Sequence, residues 1–346
     1  MRVTLTAVAY RSSEVLPACI ASFRREAAAA GVKAEVVVVE HSEDEDEAHA
    51  AAELDPAQLL VCPNRGYAAG INAGVAAATG DVILVANPDV ELLEGSLSAL
   101  LAALDEGFAV VGPRLVWDRE GRVSLPIPED PSPRAEIRRA ARRRWPALWR
   151  RWLGGWLDEL WGMWTAVGTI ETVSLRGPAL IFRRRDFSPW DESYFLYYEE
   201  TEWLWRMRRG GGRLAVAPQA RVLHHWGHAT RNLEGRQNLE AASRRRFLQR
   251  TMGPLSRAVM GAVGSGPEKA GVSAEEVTGP RVIPEREAGL WLLSPFSHLM
   301  PAAGWVGGGS VPQVVADRTS EGRWYAAAAD RSEGRWRLAG AWRWGS

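Results

Sequence analysis

Three clusters of side chains in this chain have the composition to do chemistry. The first is Asn87-Pro88-Asp89, which follows the unbroken apolar run Val82-Ile83-Leu84-Val85. Such a run fits a parallel strand covered on both faces, and in open α/β sheets ligands bind outside the strands' carboxyl ends. A single carboxylate there, beside a proline that fixes the backbone, suits one bond to a divalent cation carried by a phosphate. The second cluster is Glu199-Glu200-Thr201-Glu202, reached through the segment D-E-S-Y-F-L-Y-Y. Three carboxylates crowded together raise the pKa of at least one by mutual repulsion, which suits a general base. A structural account covers part of it. Acids in a first helical turn each gain ~0.3–1 kcal/mol from the helix dipole when exposed, and Glu202 can pair with Arg206 at i,i+4. The third cluster is His224, His225 and His228, at the end of a strand. A neutral imidazole there can bind a metal and a protonated one can donate to a diphosphate; two of the three are expected to be structural.

The elements that must hold these groups follow from the periodicity. Val3–Ala9 reads as a first strand, Glu14–Ala30 as a helix burying Leu16, Ile20 and Phe23, and Ala34–Val39 and Gln58–Val61 as two further strands. Ser12 or Ser13 is placed to cap that helix. Strand, helix, strand in this order gives a parallel nucleotide-binding half. Before the first cluster comes a slim, alanine-rich loop and helix in which Gly66, Gly70 and Gly74 recur every four residues, so that something approaches one face closely. Leu92–Leu104 reads as a helix, Phe108–Gly112 as a strand and Glu171–Arg183 as another, with Gly177 as a point of backbone approach.

The joint pattern carries a family resemblance. N-x-G-x-x-x-G-x-N-x-G at residues 64–74, joined to N-P-D, resembles the inverting family-2 glycosyltransferases with the GT-A fold, especially the bacterial rhamnosyltransferase-like branch. There the loop-helix typically reads N-x-G-F-A-x-x-x-N-x-G, and N-P-D replaces the metal-binding D-x-D. The later stretch F-L-Y-Y-E-E-T-E-W-L-W-R-M-R-R-x-G is similar to the family's F-x-Y-x-E-D-x-D-L-x-x-R-x-x-x-x-G, in which the second acid of E-D is the catalytic base. The resemblance covers about Val3–Thr230. It implies a Rossmann-like, mostly parallel central sheet with flanking helices. It also implies Mg²⁺ or Mn²⁺ held by Asp89 and, from the A-R-V alignment, His224. Tyr10 would lie against the nucleotide base, with Glu40 on the base or ribose where Asp-Asn is usual. Arg65 and Asn72 would help on the phosphate side with His224, and Gly66 and Asn87 would belong to the donor-binding site. Glu200 would be the base, one methylene longer than the family's Asp, with Glu199 as its neighbouring alternative. The implied reaction moves a sugar, with inversion, from a nucleotide-sugar donor (dTDP-rhamnose or similar) to a hydroxyl of a glycan or lipid-linked acceptor.

Competing functions are weighed on the same residues. A sugar nucleotidyltransferase needs a basic Gly-rich loop near the first strand, and Ala9-Tyr10-Arg11-Ser12 offers none. A noncatalytic sugar-binding or scaffold protein would explain the 17 tryptophans but not both acidic clusters. The formal net charge is zero, so no nucleic-acid partner is expected. Cys19 and Cys62 are isolated, as in a reducing cytosol. Met1–Ser13 lacks the apolar core of a signal peptide, and no run of 18 apolar residues exists to span a membrane. A cytoplasmic protein, with or without peripheral contact on the inner face of the cell membrane, is expected.

The domain expectation is a catalytic region at 1–255, a linker at 256–284 and a small β-rich region at 285–346. Within the first, residues 134–164 form a basic helical insertion whose Trp145, Trp149, Trp152 and Trp156 share one helical stripe. Two readings of that stripe stay open: a helix lying in a membrane interface, or a helix packed on the protein's own body. In the C-terminal region Ser320-Glu321-Gly322-Arg323-Trp324 recurs as Ser332-Glu333-Gly334-Arg335-Trp336, two turns leading into Trp-bearing strands. Covering the catalytic domain or contact within a homo-oligomer is the expected use.

Overall fold

A computed structural model describes residues 1–225, 235–264 and 267–345; His228 lies outside them. Its first elements are β1 (Arg2–Ala9), α1 (Leu16–Ala29), β2 (Lys33–Glu40), α2 (Glu45–Glu53), β3 (Gln58–Val61) and α3 (Tyr67–Ala77). Next come β4 (Val82–Ala86), β5 (Val90–Leu92), α4 (Ser96–Asp105), β6 (Val110–Val116), α5 (Pro133–Arg144) and α6 (Pro146–Thr165). Then follow β7 (Ile170–Thr172), β8 (Ala179–Arg183), α7 (Glu199–Arg209), β9 (Leu214–His224), α8 (Arg236–Thr251) and α9 (Pro254–Gly264). The chain closes with β10 (Glu275–Glu276), β11 (Leu290–Ser294), β12 (Ala303–Val306), α10 (Gln313–Arg318), β13 (Trp324–Ser332) and β14 (Arg335–Trp344). Two compact units result, one of residues 1–114 with 167–251 and one of 115–166 with 252–346.

The first unit is the α/β body expected of the GT-A class. Its sheet runs β3-β2-β1-β4-β8-β6-β9-β5, with β7 also on β9. The first four strands are parallel, and β8 joins antiparallel to β4. The runs Val36–Val39 in β2 and Val82–Ala86 in β4 are continuously apolar because helices cover both faces, while β1 buries Thr4 and Thr6 among its apolar residues; Leu5, Val38, Ile83 and Leu84 are fully buried. Strand order reverses between β1 and β4, which is where an open α/β sheet leaves a crevice at its carboxyl edge.

The small residues of α3 have a packing reason. A side chain at Gly70 would strike Val8 and His41, and one at Gly74 would strike Thr6. The expected serine cap of α1 is absent. Ser12 Oγ donates instead to the carbonyl of Tyr10 and accepts from its N–H. Ser13 binds Glu47, whose carboxylate also takes the N–H of Ser12. Asp44 is the N-cap of α2, accepting from the N–H groups of Asp46 and Glu47, and three acids, Glu45, Asp46 and Glu47, fill its first turn.

The second unit has a core of its own. The stripe on α6 turns inward: Trp149, Trp156, Leu157, Leu160 and Trp164 pack with Leu290, Leu292, Ala327 and Ala329 of β11 and β13. Trp156 stacks on Trp152 at 5.1 Å, and the Arg142 guanidinium lies 4.3 Å from the Trp152 ring. Packing on protein therefore uses the face that would have lain in a membrane. Only Trp145 and Leu148 of that helix region remain as exposed large apolar side chains. The sheet runs β10-β14-β13-β11-β12. Each copy of the S-E-G-R-W repeat opens a strand of it. Between β13 and β14 the turn residues Glu333 and Gly334 both have positive φ (50° and 74°), the conformation of a two-residue hairpin. Where composition suggested a linker, residues 254–264 are helical. Among the described residues no helix is long and apolar enough to cross a membrane.

Candidate active site

At the carboxyl edge of the first unit's sheet, adjacent strands bring the expected residues into line. Ala9 pairs with Glu40, so Tyr10 and Glu40 leave β1 and β2 side by side. Tyr10 is half-buried, with the Arg11 guanidinium 5.5 Å from its ring. Glu40 is buried, and burial raises its carboxyl despite the hydrogen bonds from Ser42. Asn87 and Asp89 follow β4, the other neighbour of β1.

Asp89 and His224 are held by a second pairing. Val90 of β5 lies opposite His224 of β9, and the His225 N–H donates to the Asp89 carbonyl at 3.0 Å. The extended backbone sends the two histidines to opposite sides. His224 Nε2 comes within 3.4 Å of Asp89 Oδ1, and His225 Nε2 lies 3.0 Å from Glu91 Oε1. Asp89 and His224 are both buried. Beneath them, Cys19 Sγ approaches the Asn87 carbonyl at 3.6 Å, and burial, then Asp89 and Glu91, push its thiol up to about 12.

The second acidic cluster is set by the segment 190–198. Asn72 is spent on it. Its Nδ2 donates to the Trp190 carbonyl (2.9 Å) and to Glu192 (3.1 Å), and its Oδ1 accepts the Trp190 N–H at 2.8 Å. Arg65 also reaches Glu192, at 3.0 Å. Gly66 has φ +99°, and an added Cβ would sit 2.6 Å from the Phe195 carbonyl oxygen; Tyr67 N–H donates to that same oxygen at 2.8 Å. Thus Arg65, Gly66 and Asn72 grip the acid-bearing segment.

That segment enters α7 through Tyr197 and Tyr198, both left-handed (φ 68° and 67°). Glu199 is buried, and among the described residues its Oε2 has no hydrogen-bond partner. Burial, then the neighbouring Glu200, hold it well above the carboxylate range. Glu200 is half-buried, and burial raises it against the pull of backbone donors and Arg176. Glu202 is committed to Arg206, which meets both its oxygens at 2.8–2.9 Å. Gly177 lies against Glu200, so close that a Cβ there would be 2.9 Å from Glu200 Cγ.

One residue unmarked by the sequence reading joins the two clusters. Tyr67 donates its hydroxyl to Asn87 Oδ1 at 2.8 Å. Burial raises its phenol well above its ordinary value, and Glu199, Glu200 and Asp89 add to that through their charges. The acids of both clusters therefore act on one side chain. The signal was present: residue 67 is Tyr where the N-x-G-F-A pattern has Phe. A second link is the Asn87 N–H, which donates to the carbonyl of Pro178, the neighbour of Gly177.

Comparison with known proteins gives the following. Residues 6–156 match the glycosyl transferase family 2 domain. An N-acetylglucosaminyl-diphospho-decaprenol L-rhamnosyltransferase of Mycobacterium tuberculosis is 29% identical over 191 residues, 48% of this chain and 58% of that protein. A low-salt glycan biosynthesis hexosyltransferase of Haloferax volcanii is 26% identical over 220 residues, 62% of this chain and 66% of that protein. The chain thus spans less than two thirds of the length of either relative. A mannosyltransferase from Pyrobaculum calidifontis, solved with GDP-Man and Mn²⁺, superposes with a TM-score of 0.48 at 15% identity, covering 76% of this chain and 69% of that one.

Proposed function

From a chain that carries a rhamnosyltransferase-like glycosyltransferase family 2 domain at residues 6–156, we propose an inverting sugar transfer between two clusters that share one crevice. The donor is a nucleotide sugar, with dTDP-rhamnose as the first to test. Tyr10 and Glu40 take its nucleoside, and its diphosphate lies at Asn87, Asp89 and His224. The acceptor is a glycan hydroxyl, in the lipid-linked case one carried on a prenyl diphosphate as in the mycobacterial relative's name. The site of action is the cytoplasmic side.

A divalent cation fits the donor end in a limited way. Among the described residues no group of three or more His, Cys, Asp or Glu is arranged to hold one. The protein's share is Asp89 with His224, 3.4 Å apart. That suits Mg²⁺ or Mn²⁺, which take one or two protein ligands and complete their shell from phosphate oxygens and water. When bound, such an ion stabilises charge on the departing diphosphate. The protein's own work is at the other end. Glu200, its proton affinity raised by burial, accepts the acceptor hydroxyl's proton as that oxygen attacks the anomeric carbon opposite the diphosphate. One displacement inverts the configuration. Two adjacent carboxylates resist joint ionisation, and burial together with Glu200 raises Glu199 the further of the two, so Glu199 keeps its proton and Glu200 carries the charge. General base action supplies roughly 10²–10⁴-fold, leaving positioning and charge neutralisation to provide the remainder.

The observation that carries this reading is Tyr67, hydrogen-bonded beside Asp89 and within the charge field of Glu199 and Glu200. The experiment pairs mass spectrometry of transfer products over a donor panel with thermal shift by nucleoside diphosphates. Asp89→Ala should abolish transfer and the Mn²⁺-dependent part of the shift. Glu200→Gln should keep the shift and lose transfer by roughly 10²–10⁴-fold. Normal turnover of Asp89→Ala at saturating donor would sink the assignment. An inactive Glu199→Gln beside an active Glu200→Gln would move the base by one residue.

A further inference from the structure

Helix α8 plays no part in the reaction described so far, yet it carries five arginines against one glutamate. Its two sides differ. The buried side holds the acid-bearing segment. Phe247 sits against Tyr198 (5.6 Å) and Trp205 (6.1 Å), and Ser243 Oγ donates to the Leu196 carbonyl at 2.8 Å. The other side opens a groove of about 590 Å³, lined by Ala242, Arg245, Arg246, Gln249 and Arg250. These positions fall at i, i+3, i+4, i+7 and i+8, which is one helical stripe, with the small Ala242 leaving room between the arginines.

Charge in this groove is unbalanced. Arg250 is held by Asp191 and lies 4.0 Å from Glu202. Arg246 rests near the Tyr194 ring, 5.7 Å from its centre. Among the described residues neither Arg245 nor Arg246 makes an ion pair with a carboxylate. Adjacent guanidinium forks facing a concave space match phosphate oxygens, which accept paired N–H donors from arginine. The groove belongs to the helix that clamps Leu196–Tyr198, immediately before Glu199 and Glu200. The donor's diphosphate is assigned to Asp89 and His224, so a second phosphate-binding surface on the helix that holds Leu196 and Tyr198 suits the other substrate, the acceptor.

We propose that the arginine groove of α8 binds the diphosphate of a prenyl-linked acceptor. This rests on the transferase reading of the site. Three probes on the full chain separate the sources of phosphate: inorganic pyrophosphate, farnesyl diphosphate, and dTDP with Mn²⁺, each followed by calorimetry. Arg245→Gln combined with Arg246→Gln alters two exposed side chains, and unchanged circular dichroism checks the fold. The double variant should weaken pyrophosphate and farnesyl diphosphate by about tenfold or more while dTDP with Mn²⁺ stays within about twofold. Unchanged affinity for pyrophosphate and farnesyl diphosphate would overturn the proposal. So would an equal loss for dTDP, since the groove would then belong to the donor. Failure of the unaltered protein to bind dTDP with Mn²⁺ is a different result: it overturns the transferase reading, and the acceptor assignment falls with it.

Discussion

Gly177→Ala tests whether catalysis depends on where the Glu200 carboxylate stands. A methyl at residue 177 would lie 2.9 Å from Glu200 Cγ, 3.2 Å from Cδ and 3.3 Å from Oε1. Carbon atoms settle about 3.5–4.0 Å apart, so the glutamate must retreat by roughly 0.6–1.1 Å. A misplacement of about 1 Å costs on the order of 10²-fold in rate, or about 2.7 kcal/mol of transition-state stabilisation. Overpacking adds about 1–3 kcal/mol of lost stability, so the assay runs well below the melting transition. The measurement is kcat and donor KM with saturating acceptor. Expected is a fall in kcat of about 10²-fold with donor KM unchanged, because the atoms that the new methyl meets all belong to Glu200 and none to a donor residue. The decisive control is the same substitution in a Glu200→Gln background. If Gly177 acts through the base, removing the base first leaves nothing to lose, and the two effects are not additive. A kcat within about threefold of the parent, or full additivity, would refute the reasoning.

Two further outcomes concern stability. Burial alone would raise the Glu35 carboxyl, but hydrogen bonds from Thr4, Thr79 and Gly80 favour its ionised form and hold it below its ordinary value. A depressed acid stabilises the fold above its unfolded pKa, and that contribution is lost as pH falls through the folded pKa. Glu35→Gln should therefore cost about 1–3 kcal/mol at pH 7 and progressively less towards pH 3 in urea titrations; a gap that widens in acid would contradict this. In the second unit, Trp156→Ala removes a buried ring stacked on Trp152, and denaturant midpoints should report a loss of about 3–5 kcal/mol. A loss below about 1 kcal/mol would mean that the α6 stripe is not core.

Much of the first unit was legible because its strands are covered on both sides and its turns are small. Val82–Val85 reads as a buried strand and is one, and Gly66, Gly70 and Gly74 announced close contacts that the structure locates at Phe195, Val8 and Thr6. Gly177 likewise marked an approach, and the partner is Glu200. What the sequence hid was partner choice. Arg65 and Asn72 have the chemistry of phosphate ligands, and the sequence does not show that in the folded chain Asn72 bonds Trp190 and Glu192 and Arg65 pairs with Glu192. Adjacent histidines at 224 and 225 cannot be ranked by type; the β5–β9 register sends one to Asp89 and the other to Glu91. For the Trp stripe, helical spacing gives one apolar face but not what covers it. The cover is strands β11 and β13, more than a hundred residues further along the chain, a separation that local periodicity does not encode.

A costly local conformation lies next to the acids, and it has an identifiable support. Tyr197 and Tyr198 are both left-handed, in a region that non-glycine residues avoid at a cost of about 1–3 kcal/mol each. Such strain persists only where surroundings over-determine it. Here the Phe195 carbonyl is pinned by Tyr67 N–H, the Leu196 carbonyl by Ser243, and the Tyr198 ring by Phe247. A right-handed path through 197 and 198 would begin α7 earlier and rotate Glu199 and Glu200 about its axis. The left-handed pair instead starts the helix at Glu199, burying that side chain and turning Glu200 against Gly177. Two tyrosines at these positions are therefore a poorer solution for stability than glycines, and a stiffer mount for the side chains of Glu199 and Glu200. Relaxing the pair with Tyr197→Gly would free the segment, and the resulting loss should fall on the rate of transfer before it falls on binding of the nucleotide.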